Sequence, residues 1–426
     1  MSEHAQTGAR PRRVAVVGSG ISGLTAAYLL ARRDQVTLFE AEDRLGGHSH
    51  THQVTSRSGP LAVDTGFIVH NDRTYPLLTR LFAELGIATR DTEMSMSISD
   101  PSSGLAYAGG KGIGGFLAQP RRLLSPAYVD LLRSVRRFHR LGSAFLASHP
   151  ADDLTTFGEF IDEHGFSARF TNLYAVPLVS CVWSSGRQAA LGYPAVHLFR
   201  FLDHHGMLSV GNSPQWRTVV GGSATYVHAI ADRLPDVRRG SGVVGVTRHS
   251  NGVTLATTAG EEAFDRVVVA THADQALALL RDATPDEKEI LGAFRYSTNE
   301  TLLHRDESFL PSTKRARASW NFVVAQRNSD APAQVTYWMN RLQGFDESDP
   351  LLVTLNPTRA VSDNDVIARM RYTHPIFDAA AVAAQSRLTQ LTTGTTTFAG
   401  AYHGWGFHED GCRSGVAAAA AFGAQW

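Results

Sequence analysis

The chain has 426 residues, 43% hydrophobic and 19% charged, which suits a globular enzyme of two domains and excludes a disordered or membrane-spanning chain. Forty basic residues cancel forty acidic ones, so no global charge points to nucleic acid. Two cysteines, Cys181 and Cys412, with no CxxC pair, argue against a disulfide framework or a metal cluster and fit a reducing cytoplasm.

Residues 1–10 are polar and expected to be disordered. The run Val14-Ala15-Val16-Val17 then enters Gly18-Ser19-Gly20-Ile21-Ser22-Gly23 and leaves as a small-residue helix towards Leu30. This is the layout of a dinucleotide-binding βαβ start: Gly18 for the sharp turn, Gly20 for close approach of a pyrophosphate, Gly23 for helix–strand packing. The first-turn amides, Ile21 and Ser22 among them, would face the phosphates, where the helix dipole favours negative charge. Gln35 to Glu40 reads as a second strand ending in an acid 22 residues after Gly18, the interval that places a carboxylate on ribose hydroxyls. The uncharged stretch behind Arg12 and Arg13 also fits a signal peptide or membrane span, but three glycines in six positions favour the nucleotide site.

With FEAEDRLGGHS following GSGISGLTAAYLL, the chain resembles the FAD-dependent superfamily of amine oxidases, phytoene desaturases and protoporphyrinogen oxidases. The resemblance implies a Rossmann-like, glutathione-reductase-like α/β FAD-binding domain with a discontinuous α+β substrate domain. It places Glu40, Ala41, Arg44, Gly46 and Gly47 on the cofactor, with His48 where the family has Arg. Asp64-Thr65-Gly66-Phe67 resembles the element that approaches the flavin ring. The alternating His48, His50 and His52 would share one face of a strand; a metal site there has no acid or cysteine to complete it.

Tyr75 to Gly86 has helical period and a glycine C-cap signal, predicting a surface helix. Lys111 to Gly115 is a glycine-rich loop. Residues 116–206 carry helical patterns over Ala127–Leu146, Phe157–His164, Ala168–Tyr174 and Val196–His205. In this helical cap Phe157, Phe160, Phe170, Tyr174, Trp183, Tyr193, Phe199 and Phe201 line a tunnel or form the core. The basic run Arg133 to Arg140 reads as a solvated helix face. Trp216 to Tyr226 resembles the family's second glycine doublet and leads into a helix to Leu234. Strand-like runs at Gly242–Thr247, Gly252–Thr258 and Phe264–Ala270 resemble the segment where a valine backbone, here Val243, meets adenine; Thr271 closes the returning strand. Pro285–Leu291 predicts a helix. Thr301–His304, Ala318–Ala325, Gln334–Asn340 and Leu351–Leu355 predict an antiparallel sheet. The expected domains are 11–75, 215–285 and 395–426 for FAD, and 76–214 and 286–394 for substrate.

The ending, Thr396 to Ala418, is a strand, a glycine loop and a helix. It resembles the family's closing motif, with Gly400 near the pyrophosphate and Gly411, Cys412 and Gly415 at the flavin-facing helix start. Tyr402, His403, Trp405 and His408 are the candidate catalytic side chains, with His403 or His408 as proton shuttle. Glu409 and Asp410 are candidates for capping that helix or for chemistry. Three lysines, Lys111, Lys288 and Lys314, leave Asn299 to His304 without the lysine that amine oxidases use. The resemblance implies non-covalent FAD and hydride transfer to flavin N5. The stretches GFIVHNDRTYPLLTRLF and AGAYHGWGFHEDGCRSG resemble a bacterial flavoprotein group associated with cyclopropane fatty-acid synthases. That points to a desaturase, dehydrogenase or double-bond isomerase acting on an apolar, unsaturated acyl substrate. The alternatives are a small-molecule amine oxidase and a non-catalytic flavin-binding partner of a lipid-modifying methyltransferase. Peripheral membrane contact or a partner lipid-modifying enzyme would accompany a lipid substrate; nucleic acid is not expected, and the oligomeric state is open.

Overall fold

The computed structural model describes residues 10–57, 59–109, 118–208, 213–324 and 333–426; the run Lys111–Gly115 lies outside them. The chain divides into two compact units, Met1–Gly47 with Tyr226–Gly292 and Arg387–Trp426, and His48–Thr225 with Ala293–Ser386.

The first unit is built on a parallel sheet ordered Thr396–Phe398, Arg266–Val269, Arg13–Val17, Gln35–Phe39, Asp236–Arg238. Val14 to Val17 and Val267 to Val269 are buried, as strands covered on both faces must be. The opening helix Ile21–Leu30 is buried nearly all round, because the closing helix His408–Ala421 packs on it. An antiparallel sheet of Val243–His249, Gly252–Thr257 and Gly260–Phe264 stands beside these elements in the chain. Phe264 therefore ends that sheet, and the returning strand is the separate Arg266–Val269.

The second unit carries a sheet ordered Val366–Ile376, Arg295–His304, Leu352–Leu355, Gln334–Trp338, Trp320–Val323, Met96–Asp100, Leu105–Gly109. It is antiparallel except where Trp320–Val323 runs parallel to Met96–Asp100, so the sheet predicted from residues 286–394 also recruits strands from the first half of the chain. Val366–Ile376, which the sequence did not reveal, pairs along the whole of Arg295–His304. Residues 48–75 and 215–225, expected with the FAD domain, group with this unit. The hairpin Thr51–Ser56/Gly59–Asp64 is tied into it by the Asp64 and Thr65 bonds described below, and Trp216–Val219 pairs with Thr89–Thr92.

Helices stand at Pro76–Leu85, Pro126–Ser148, Phe157–Glu163 and Ala195–His204, close to the predicted spans, and at Val176–Trp183, where none was predicted. Gly86 ends the first of these in the left-handed region, at φ 70°. The predicted helix Ala168–Tyr174 is instead one short helical turn, Ala168–Phe170, passing into a π-helical turn, Thr171–Ala175. Phe157, Phe160, Phe170 and Phe199 are fully buried and packed around Phe138, edge to face or tilted, at 5.4–6.2 Å. Of the two alternatives, tunnel lining or core, these rings take the second. Trp183, Tyr193 and Phe201 form a second cluster at 4.6–4.7 Å.

Candidate cofactor site

The first strand and helix are joined by a turn whose shape only glycine permits. Gly18 sits at φ +102°, and a side chain at Gly23 would collide with the Gly18 carbonyl. A Cβ at Gly20, by contrast, would meet nothing within 4 Å, so the helix start opens onto free space. That helix has no side-chain cap, and its first-turn amides at Ile21, Ser22 and Gly23 have no acceptor four residues earlier. Such a start is a ready anion site.

Glu40, just past the second strand, accepts from Ser19 N (3.0 Å) and Ser19 Oγ (2.5 Å) with Oε2, and from Glu42 N (2.9 Å) with Oε1. Oε1 retains lone-pair capacity for a ribose hydroxyl. Gly46 N donates to Ser19 O (3.1 Å), and Arg44 donates to Gly47 O (2.7 Å) while pairing with Glu42, so this loop is folded back over the glycine turn. A Cβ at Gly47 would lie 3.2 Å from Gly20 Cα. Thr271 also lies beside the turn, its methyl 3.4 Å from a Cβ placed at Gly18. Ala41 is exposed, and Val243 is half-buried at the edge of its antiparallel sheet.

In the closing segment, Gly400 N donates to Ser414 Oγ (2.9 Å) and Tyr402 is buried. The closing helix has Asp410 as its cap: Asp410 Oδ2 accepts from Phe407 N (3.1 Å), which decides between capping and chemistry for this acid. Gly411 N donates to Phe407 O (3.0 Å), so its amide is used inside the helix, and Cys412 lies one residue deeper. The first-turn amides are those of His408, Glu409 and Asp410, which corrects the expectation for Gly411 and Cys412. The glycines serve packing instead. A Cβ at Gly411 would lie 2.6 Å from Ile21 Cγ2, and one at Gly415 would strike the Ser22 carbonyl. Close contact of the two helices brings both their N-terminal ends to one side of the unit. Cys412 Sγ takes a 3.7 Å contact from Thr25 Oγ1, and burial pushes its thiol up to about 12, so it is no nucleophile.

His403 is held neutral, its pKa pushed down to about 4 by burial, and its Nε2 has no hydrogen-bond partner. His408 Nε2 lies 3.3 Å from Tyr226 Oη, a residue the sequence did not single out. Trp405 is half-buried in the same loop.

In the second unit, Asp64 is 1% exposed, and its carboxylate accepts from Thr51 Oγ1 (2.6 Å), Ser223 N (2.9 Å), Ser223 Oγ (2.7 Å) and Gln343 Nε2 (3.1 Å). Its carboxylate is an internal brace, with its acceptor capacity taken up within the unit. Burial pushes its pKa up to about 6 against the pull of these donors. Thr65 Oγ1 is likewise engaged by Tyr372 Oη (2.7 Å), and Phe67 is buried. Gly66 is required because a side chain would strike the His48 carbonyl. His48 packs against Tyr372 and His374 at 5.3–5.4 Å, whereas His50 and His52 stack on each other at 4.1 Å. Thr51 is where the strand begins, so the three imidazoles do not form one strand face. Among the described residues no group of three or more His, Cys, Asp or Glu is placed to hold a metal.

The profile of the family described as flavin containing amine oxidoreductase matches residues 21–299. The chain belongs to this family. FAD is its cofactor, and the glycine turn, the uncapped helix start and Glu40 fit a pyrophosphate and a ribose as described above. A tryptophan 2-monooxygenase of Pantoea agglomerans pv. gypsophilae is 28% identical over 322 residues, covering 66% of this chain and 56% of that protein. The chain thus spans just over half the length of the curated relatives it matches. Among solved structures, the CLA-producing fatty acid isomerase of P. acnes has a TM-score of 0.70 at 16% identity, covering 96% of this chain and 97% of that one. Cyclohexylamine oxidase of Brevibacterium oxydans IH-35A has a TM-score of 0.71 at 16% identity, covering 97% and 98%. Identities this low establish the fold alone: an amine-oxidase-like FAD-binding architecture.

Proposed function

We propose that the chain is an FAD-dependent oxidoreductase or double-bond isomerase whose substrate is apolar, with an unsaturated acyl chain as the best candidate. Its fold neighbours include both a fatty acid isomerase and an amine oxidase, so likeness alone does not choose between them. The observation that carries the choice is His403, an imidazole kept uncharged by burial, whose Nε2 has no hydrogen-bond partner among the described residues. An uncharged imidazole can accept a hydrogen bond or proton without placing a cation beside an apolar substrate. The strand Arg295–His304, which carries no lysine, supports the same choice.

When bound, FAD supplies hydride acceptance at N5. The uncapped start of Ile21–Leu30 would hold the pyrophosphate, Glu40 the ribose, and the first turn of His408–Ala421 the end where negative charge gathers. His403 Nε2 would accept a hydrogen bond or a proton from the substrate, and Tyr402 would wall the loop against water.

A small amine or amino acid is the second reading, favoured by the names of the curated relatives. Anaerobic mixing with linoleic acid, cyclohexylamine and L-tryptophan separates the two. Bleaching of the yellow colour, or a shifted double bond, with the lipid alone supports the proposal. Bleaching by the amines alone, with hydrogen peroxide released once air is readmitted, overturns it. Colour that no small substrate changes, but a partner protein does, would favour the non-catalytic reading.

A further inference from the structure

Residues 120–148 carry six arginines and a single acid, Asp130, in a chain that is otherwise balanced. Several arginines elsewhere in the same unit are neutralised by neighbours: Arg217 by Asp91, Arg295 by Asp378, Arg305 by Asp349, Arg317 by Glu307 and Arg341 by Glu347. Arg121, Arg133, Arg136 and Arg140 are exposed and make no hydrogen bond, ion pair or ring contact with any described residue. Arg137 differs, being drawn over Phe166 and onto the His164 carbonyl.

The helix Pro126–Ser148 explains the arrangement. Tyr128, Leu131, Val135, Phe138, Gly142 and Phe145 form its buried stripe. At about 100° per residue, Arg133, Arg136 and Arg140 fall within an arc of roughly 60° on the opposite side. Just before the helix, the turn Pro120–Leu124 projects Leu123 and Leu124, 39% and 86% exposed. Those are two of only five large hydrophobic side chains exposed among the described residues, and they are adjacent, with Arg121 beside them. Unpaired guanidinium groups in a row call for anionic counter-charge from outside the chain. Two neighbouring leucines offered to solvent call for something apolar within reach of those charges. An anionic lipid surface supplies both, phosphates at the level of the arginines and acyl boundary at the depth of the leucines.

We infer that the turn Pro120–Leu124 and the arginine face of Pro126–Ser148 dock this protein on an anionic phospholipid surface. The site lies wholly within the second unit and does not depend on the identity of the substrate.

Flotation of the FAD-loaded full chain tests it, using vesicles of phosphatidylcholine alone and of phosphatidylcholine with roughly 30% phosphatidylglycerol. The chain is expected to float with the anionic vesicles at low salt, to stay behind with the neutral ones, and to be released by about 0.5 M salt. Replacing Arg133, Arg136 and Arg140 together by Gln should weaken partition about 100-fold, at about fivefold per arginine. Leu124→Ser should weaken it about tenfold. Because these side chains are exposed, FAD content and melting temperature should stay as in the parent, which separates lost docking from lost folding. Absence of binding to anionic vesicles at low salt overturns the inference. So does equal binding to neutral vesicles, partition unmoved by either substitution set, or capture by single-stranded RNA in preference to the vesicles.

Discussion

The two units use different parts of their residues to do their work. In the first, backbone is the working material: Gly18, Gly20 and Gly23 shape an anion-ready helix start, while Gly411 and Gly415 let a second helix lie close by. In the second, side chains brace one another: Asp64 gathers Thr51, Ser223 and Gln343, and Tyr372 reaches Thr65 and His50. Close-packed backbone positions such as Gly23, Gly411 and Gly415 tolerate no added atoms, whereas braced networks tolerate no missing partner. That difference dictates how each unit should fail.

The harshest test is Gly23→Val. Its Cβ would strike the Gly18 carbonyl, a backbone atom that cannot swing away, in the turn between the first strand and helix. Overpacking of this kind costs about 3 kcal/mol or more. Purification should yield no yellow protein, read by absorbance and by FAD released on denaturation.

Acid should break the second unit first. Burial pushes His70, His197, His205 and His304 there down to about 4, against His403 alone at that value in the first unit. A folded pKa below the unfolded 6.5 gives stability that is complete above 6.5 and lost as pH falls towards about 4. Each such histidine then withdraws about 2 kcal/mol by pH ~5. Hydrogen exchange, corrected for intrinsic rate, should lose protection in His48–Thr225 at a higher pH than in the parallel sheet. His304→Gln should lower the pH of that loss; equal loss in both units would refute the contrast.

Asp64→Ala leaves four donor groups without their acceptor and should cost about 3 kcal/mol. The melting temperature should drop while each folded molecule keeps its FAD. Smallest of all, Cys412→Ser should change stability by about 1 kcal/mol, because the thiol serves only as a small buried group against Thr25. Neither Cys412 nor Cys181 should react with a thiol reagent in the native protein, since both are buried.

The same contrast governs what the sequence made legible. The cradle could be read because its constraints are local: glycines at fixed offsets, then an acid at the end of the next strand. The bracing role of Asp64 was not legible because it is set by donors at residues 223 and 343, which no local spacing reveals. The parallel pairing of Met96–Asp100 with Trp320–Val323 was hidden for the same reason. Val366–Ile376 escaped notice because only Tyr372 along it is buried, leaving no strong alternation. The phenylalanines of the helical region showed helical period, but period cannot separate a tunnel wall from a packed core. Gly411 and Gly415 were identified correctly as special and assigned the wrong task, since a glycine marks close approach without naming what approaches.

The most direct test of the account compares FAD affinity in two single variants, Glu40→Ala and Asp64→Ala, by fluorescence titration of the stripped proteins. Loss of a charge-assisted ribose contact should weaken FAD binding by about tenfold to 100-fold in Glu40→Ala. Asp64→Ala, though less stable, should bind FAD within about twofold of the parent, since its carboxylate is spent inside the second unit. Unchanged affinity in Glu40→Ala, or a large loss confined to Asp64→Ala, would contradict the placement of the cofactor cradle in the first unit.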